Sequence, residues 1–145
     1  MDKPLPCPCG NARNHADCCG PYHAGKAAAP TAEALMRSRY AAYVLDLRPY
    51  LLATWHPDTR PSALAAAEPG LRWLGLDVKR TTNIDADHAT VEFVARSKLG
   101  GQAHRLHETS RFVREGGIWL YVDGDMGTRT ARRDGSSGRL PGSGR

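Results

Sequence analysis

The four cysteines of the chain lie within thirteen positions, as Cys7, Cys9, Cys18 and Cys19. Two close pairs separated by eight residues allow a short hairpin to bring four sulfur atoms around one point. Zinc in structural sites takes four thiolate ligands in a tetrahedron, at about 2.3 Å each. The spacing therefore predicts one structural Zn²⁺ per chain, with these four residues as the metal ligands.

The residues between the two pairs suit such a hairpin. Gly10 allows the chain to turn beneath the metal, where backbone N–H groups can reach the sulfurs, and the remaining positions allow about one helical turn. Arg13 offsets part of the negative charge of four thiolates. His15 and His23 could also ligate a metal, but four cysteines already fill a tetrahedral shell.

Two other uses of the cysteines remain as alternatives, namely crossed disulfides and a redox-active thiol cluster. A bridge between the neighbours Cys18 and Cys19 would be strained, and one between Cys7 and Cys9 nearly so. The first six residues contain no apolar core of the length that a secretory signal needs. We therefore expect a cytoplasmic protein with reduced thiols, which favours zinc.

The composition predicts a globular domain with a charged appendage. The chain has 145 residues, of which 41% are hydrophobic and 24% charged, and no apolar run approaches a membrane span. Most of its net charge of +5 lies after Gly127, where five arginines accompany one aspartate. We expect residues 127–145 to be a disordered Gly/Ser/Arg tail. Nucleic-acid binding through this tail is an alternative that would be strongly salt-dependent.

Helical periodicity occupies the middle of the chain. Thr31 is a suitable N-cap for an amphipathic helix over 32–47, and Pro49 precedes a shorter helix over 50–55. Pro61 suggests a third helix over 62–67. Residues 21–30 are predicted to be a connecting loop.

The periodicity changes to two after Gly70, which indicates strands. Alternating residues at 74–78 and 91–95 flank a turn at 83–87, and two glycine pairs separate further strands at 102–114 and 118–123. Three helices followed by four strands predict an α+β domain with a curved antiparallel sheet.

The cysteine pattern, Cys-x-Cys-Gly followed after seven residues by Cys-Cys-Gly, resembles the SEC-C zinc knuckle found at the end of the SecA translocation ATPase. Asn11 and Arg13 depart from the serine and the lysines that are usual in that motif. Further blocks resemble the YchJ-like family of small bacterial proteins: Pro21-Tyr22-His23, Leu35-Met36-Arg37, Thr54-Trp55-His56-Pro57, Trp73-Leu74-Gly75, Ser110-Arg111-Phe112 and Tyr121-Val122-Asp123-Gly124.

This resemblance implies a zinc knuckle over 1–25, a cone-shaped domain like nuclear transport factor 2 over 26–126, and the tail. It implies no particular activity. Some relatives carry a second SEC-C motif at the C-terminus, where this chain has no cysteine. The knuckle of SecA suggests a chaperone, or the translation and export machinery, as a protein partner.

Polar residues on the inward face of the third strand suggest a pocket in the cone. Glu108 and Ser110 share a face with Leu106 and Phe112, and an inward carboxylate needs a partner such as an arginine of the first helix. A buried structural ion pair is the simpler alternative. The candidate pocket residues are Arg37, Arg39, Tyr40, His56, Glu108, Ser110 and Asp123.

Two functional hypotheses follow. The first is a zinc-binding adaptor that presents the knuckle to a protein partner, since no convincing set of catalytic residues accompanies the metal site. The second is a ligand-binding protein or enzyme that uses the cavity of the cone, with His56 as a conceivable general base. No residue is assigned a catalytic role.

Overall fold

The structure, a computed structural model, describes residues 6–11 and 13–126. The predicted tail over 127–145 lies outside the described residues. The elements in chain order are a 3-10 turn at His15–Asp17, helices α1 (Gly20–His23), α2 (Ala32–Leu45) and α3 (Arg48–Ala53), and strands β1 (Arg72–Asp85), β2 (His88–Leu99), β3 (Gln102–Glu115) and β4 (Ile118–Met126).

The four strands form one antiparallel sheet in the order β1-β2-β3-β4. Gly100-Gly101 and Gly116-Gly117 make the last two turns with positive φ at each glycine, a backbone conformation that matches the twist of tight hairpins. The predicted α+β architecture with a four-stranded antiparallel sheet is confirmed. The first strand is longer than predicted, because its second half pairs with β2 without burying side chains.

Helix α2 begins where the sequence predicts and ends two residues earlier. The Thr31 hydroxyl accepts a hydrogen bond from the N–H of Ala34 at 3.0 Å, as expected of an N-cap. Asp46 then adopts a left-handed conformation with φ of 59°, and its N–H returns to the carbonyls of Ala42 and Tyr43. This cap reverses the chain, so that α3 packs back against α2.

Two predictions about the connections are wrong. Residues 62–67 form no helix, because a single turn between Pro61 and Pro69 cannot offset the cost of helix nucleation, and only Leu64 among them is buried. Residues 21–23, predicted to begin a connecting loop, instead form α1 together with Gly20. The N–H of its last residue, His23, donates to the carbonyl of Cys19 at 2.9 Å.

Helix α2 is covered on more than one side. Its Leu35, Met36 and Tyr40 pack on the concave face of the sheet, against residues such as Phe93 and Phe112. Nine of its fourteen residues are buried, more than a helix lying on a sheet by one face alone would bury. The second covering is the cysteine hairpin. Within the described residues, no helix is long and apolar enough to cross a membrane.

Candidate metal centre

Backbone hydrogen bonds fold residues 6–19 into a hairpin. The N–H of Cys7 donates to the carbonyl of Arg13 at 2.8 Å, and Pro6 pairs with Asn14 in an isolated antiparallel bridge. Gly10 turns the chain with a φ of 90°. The 3-10 turn then returns Cys18 and Cys19 to the first pair of cysteines, so the predicted helical turn between the pairs is present.

The four sulfur atoms converge. All lie within 4.8 Å of one another, with Cys9 Sγ to Cys18 Sγ at 3.5 Å and Cys18 Sγ to Cys19 Sγ at 3.9 Å. Four thiolates bound tetrahedrally to one zinc ion stand about 3.8 Å apart. The cysteines are free, and the measured separations far exceed a disulfide bond of about 2 Å. The geometry fits a four-coordinate metal and contains neither disulfide that the sequence left open.

N–H groups surround the sulfurs. The backbone N–H groups of Cys9 and Cys19 act to lower the pKa of Cys7, and that of Asn11 acts to lower the pKa of Cys9. The Asn11 side chain adds a longer contact, from Nδ2 to Cys18 Sγ at 3.7 Å. Such donors stabilise negative charge on sulfur and orient the ligands of a metal. Asn11, which departs from the usual motif, therefore takes part in the site.

The protonation of the cluster also fits a metal site. Hydrogen bonding from Cys19 lowers the pKa of Cys9 to about 5. The pKa of Cys19 is raised, because its thiol donates to Cys9 and is buried beside that negative charge, and burial raises the pKa of Cys7. Without metal the cluster favours one thiolate and resists a second. A divalent cation supplies the positive charge that four thiolates need.

The hairpin is docked on α2. Three of the cysteines, Cys7, Cys9 and Cys19, form a buried cluster with Ala41, which is fully buried. Arg37, one turn earlier on the helix, donates from Nη1 to the carbonyl of Cys9 at 2.8 Å. Arg37, predicted from the sequence to line a pocket, lies against the hairpin instead.

His15 and His23 support the contact between the hairpin and α2. His23 Nε2 lies 2.8 Å from the carbonyl of Ser38 and must donate to it, so its Nδ1 is free to accept from His15 Nε2 at 2.9 Å. Burial lowers the pKa of His23, which favours this neutral form. Gly20 is required here, since a Cβ atom at this position would lie 2.6 Å from the carbonyl oxygen of His15. Neither histidine belongs to the four-sulfur group.

Comparison with known proteins shows the family to which the chain belongs. A family model described as the YchJ middle NTF2-like domain matches residues 31–124, which span α2, α3 and almost the whole sheet. The chain belongs to this family. The UPF0225 protein of Ralstonia nicotianae is 61% identical over 131 residues, covering 83% of this chain and 90% of that protein. The UPF0225 protein of Bordetella pertussis is 58% identical, covering 86% of this chain and 95% of its own length.

Solved structures agree with the fold. The solution structure of a SEC-C motif containing protein from Rhodopseudomonas palustris is 34% identical, with a TM-score of 0.74, and covers 83% of this chain and 98% of its own. A crystal structure of a SEC-C motif containing protein from Psychrobacter arcticus is 28% identical, with a TM-score of 0.70. The match covers 97% of this chain and 91% of that chain. Both support an arrangement of SEC-C hairpin and NTF2-like domain.

The cavity between α2 and the sheet is small. Arg39, Tyr40 and Ser110 line a cavity of about 20 Å³ between α2 and the sheet. That volume holds about one water molecule. Glu108 lies beside it, 2% exposed, and its carboxylate accepts a hydrogen bond from Ser110 at 2.8 Å. The structure thus brings these predicted residues together without room for an anionic ligand.

Arg39 links the helices to the sheet. Its Nη1 donates to the carbonyl of Leu51 and to Thr54 Oγ1, at 2.8 and 2.7 Å, and the guanidinium lies 4.5 Å from the centre of the Tyr121 ring. Burial lowers the pKa of Arg39, while the nearby tyrosines and the Glu108 carboxylate act in the opposite direction. These contacts favour the structural alternative for the buried charges.

The remaining pocket candidates lie elsewhere. His56 Nε2 is 2.9 Å from a carboxylate oxygen of Glu115, and its Nδ1 accepts from the N–H of Asp58, so it joins the end of α3 to the last hairpin. Asp123 accepts from Arg111 at 2.6 Å on the partly exposed face of the sheet. A single pocket cannot contain both of them and Glu108.

Two hollows that were not predicted from the sequence lie where the segment after α3 meets the start of β1. The larger has a volume of about 280 Å³ and the smaller about 180 Å³, and they share Glu68, Leu71 and Trp73. Residues 64–71 form one wall, and this segment was predicted to begin as a helix. The inward positions of His104 and Leu106 were the available signal, because they extend the face that carries Glu108.

Proposed function

We propose that this YchJ-family chain is a zinc-binding adaptor whose SEC-C hairpin contacts a protein partner. The observation that carries the proposal is the closed group of four sulfurs, supplied with N–H donors and held against α2. Soft thiolate ligands in a tetrahedral arrangement suit zinc. A shell filled by four protein ligands leaves no position for water or substrate, so the metal has a structural role.

The outer surface of the hairpin is the part offered to a partner. Asn11, Arg13, Asn14 and Asp17 are all exposed, and they project from a backbone that the metal and α2 hold rigid. Rigid presentation reduces the entropy lost on binding. Reduced thiols require a reducing compartment, so we place this function in the cytoplasm. The likeness to SEC-C proteins makes a chaperone, or the translation and export machinery, the partner class to test.

Metal content tests the first half of the proposal. Protein purified under reducing conditions should contain one zinc per chain by elemental analysis, and a chelator should remove it with release of four reactive thiols. Iron in its place, or oxidised cysteines, would contradict a zinc site.

Site-specific photo-crosslinking tests the second half. A photoreactive residue at Asn14 should give a discrete adduct with a protein in cells, and the adduct should disappear when Cys18→Ser removes the metal. The matched control is the same residue at Thr82, which is exposed on β1. An adduct of equal yield at both positions, or none at Asn14, would contradict an adaptor role for the hairpin.

A further inference from the structure

The outer face of the sheet, which points away from α2, carries a group of basic side chains at one end. Phe93 and Ala95 pack towards α2, so the residues that alternate with them along β2 point outward. Two adjacent rows of this outer face, here called the basic rows, consist of Arg72, Lys98 and Ala103, and of Gly75, Arg96 and Arg105. All four basic side chains are exposed.

Both basic rows place like charges side by side. Arg72 pairs with Lys98 between β1 and β2, and Arg96 pairs with Arg105 between β2 and β3. Like charges in directly opposite positions destabilise a sheet. Within the described residues, only Arg96 among these four forms an ion pair, with Asp77 at 2.8 Å. The basic rows therefore lack most of the negative charge that would balance them.

Further along the same outer face, opposite charges are paired. His107 lies 2.7 Å from a carboxylate oxygen of Glu92. Arg111 bonds to both Asp123 and Asp125, at 2.6 and 2.7 Å. The contrast within one face indicates that the unbalanced charge is a local property of the basic rows, which leaves them suited to an anionic partner.

The arrangement of the charges favours one kind of anionic partner. Residues two apart on a strand are about 7 Å apart and neighbouring strands about 5 Å, so the four cations occupy an area of about 7 by 10 Å. None of the six residues in the basic rows is aromatic. Protein interfaces commonly centre on aromatic anchors, and single-stranded nucleic acid is bound by stacking bases on aromatic side chains. A duplex needs neither, because its phosphates alone attract a basic surface.

We propose that the basic rows bind the sugar-phosphate backbone of a nucleic-acid duplex without reading its sequence. Contacts to phosphates position a protein on a duplex but carry no sequence information. The phosphates supply the negative charge that the rows lack in the free protein. The surface contains no residue of the cysteine hairpin, so this inference does not depend on the proposed adaptor function.

Fluorescence anisotropy tests this surface in the full, zinc-loaded chain, with a labelled DNA duplex of about 20 base pairs. The double variant Lys98→Gln/Arg105→Gln should weaken binding at least about tenfold at about 50 mM salt. The slope of log affinity against log salt concentration should fall by about two, because each cation that contacts a phosphate contributes about one. An unchanged affinity and slope would overturn the proposal.

A matched control removes the same charges from outside the sheet. Lys26→Gln/Arg48→Gln also replaces one lysine and one arginine, and should weaken binding less than about threefold. The five arginines after Gly127 contribute the same background in every variant, so the comparison isolates the sheet. Equal losses in the two double variants would show attraction to net charge alone and contradict the surface.

The thermal transition gives a second, independent measurement. Removing Lys98 and Arg105 relieves repulsion from Arg72 and Arg96, so Lys98→Gln/Arg105→Gln should unfold at the same temperature as the parent or at a higher one. A lower unfolding temperature would contradict the repulsion on which the proposal rests.

Competitors identify the kind of anion. Two duplexes of unrelated sequence should compete equally, within about twofold, because phosphates provide the contacts. Polyglutamate of equal total charge should compete at least about tenfold more weakly, since a duplex holds one charge per roughly 1.7 Å along a stiff axis. Equal competition by polyglutamate would assign the basic rows to an acidic protein segment and overturn the proposal, as would tighter binding of a single strand.

Discussion

The cysteine hairpin and the sheet of the NTF2-like domain are both antiparallel, but they bury different atoms. The sheet packs Phe93, Val91 and Phe112 against α2, so removing apolar surface from water stabilises it. The hairpin buries sulfur, beside the single alanine that α2 contributes. Its interior becomes favourable only when a cation balances the thiolates.

This difference predicts that the two regions are stabilised independently although they share one helix. We expect the sheet side of α2 to fold without metal, and the hairpin side to depend on the metal and on the contacts from Arg37 and Ser38. Substitutions in the hairpin, in the cone and at their junction test this independence.

Loss of the metal should produce the largest effect. Structural zinc in small sites contributes about 10–16 kcal/mol of apparent binding free energy. Cys18→Ser should therefore lose zinc and lose amide protection across 7–23, while the unfolding transition of the cone remains cooperative. Elemental analysis and hydrogen exchange measure the two outcomes.

Ala16→Ser, an exposed change in the same turn, should alter neither zinc content nor exchange. Global unfolding of Cys18→Ser would show that the cone depends on the metal, and the comparison would fail.

A cavity created in the cone should destabilise the cone and leave the metal site unchanged. Phe93 is 1% exposed at the centre of the sheet, and Phe93→Ala should lower the free energy of unfolding by about 3–5 kcal/mol. Zinc content should stay at one per chain. Ile84→Ala, a change at a side chain that is 63% exposed, should have little effect in the same denaturant titration. Loss of zinc from Phe93→Ala would indicate coupling through α2.

Gly124 tests the buried carboxylate of the cone. A Cβ atom there would lie 2.8 Å from the Glu108 carboxyl carbon, so Gly124→Ala should destabilise the cone by about 1–3 kcal/mol. Gly75→Ala is the matched control, because a Cβ in that strand meets no atom within 4 Å. Equal thermal shifts in the two variants would contradict a close contact with Glu108.

Arg37 tests the junction between the two regions. Arg37→Gln removes the hydrogen bond to the Cys9 carbonyl, which contributes about 1 kcal/mol. We expect faster zinc loss to a chelator and an unchanged unfolding transition of the cone. Arg48→Gln, which removes an exposed arginine paired with Asp46, should release zinc at the normal rate. A shifted unfolding transition of the cone, or no change in the rate of zinc release, would count against this role.

The smallest effect belongs to an exposed ion pair on the sheet. Hydrogen bonding from Arg111 lowers the pKa of Asp125 below its usual 3.8. A carboxyl with a lowered folded pKa stabilises the protein above its usual pKa, and that stabilisation is lost as the pH falls through the lowered value.

Arg111→Gln should therefore destabilise the cone by less than about 1 kcal/mol at pH 7, with no difference from the parent at about pH 2. Denaturant titrations in the Cys18→Ser background make this comparison independent of zinc release at low pH. A difference that grows as the pH falls would contradict the assignment.

The sequence predicted a structural feature well where the residues that determine it lie close together in the chain. The spacing of four cysteines indicated the hairpin, Thr31 indicated the start of α2, and two glycine pairs indicated the hairpin turns. It overestimated helix over 62–67, where alanine propensity without a buried face is too weak to nucleate a turn.

The distant elements that a side chain contacts could not be predicted from the sequence in the same way. Arg37 and Arg39 stand two residues apart on one helix, about 200° around its axis, and both were assigned to the pocket. The tertiary structure decides that Arg37 meets the hairpin and Arg39 the interior. His56 and Asp123 were likewise separated from Glu108 by the path of the chain after α3.

The sequence alone therefore determined the metal-binding chemistry, the α+β class and the strand order along the chain, because thiolate spacing and side-chain periodicity are local properties. Only the tertiary structure decided that tyrosine and phenylalanine side chains fill the cone, that the hairpin covers the second side of α2, and that a hollow opens beside Trp73. These outcomes depend on which distant side chains share the limited volume of a packed interior.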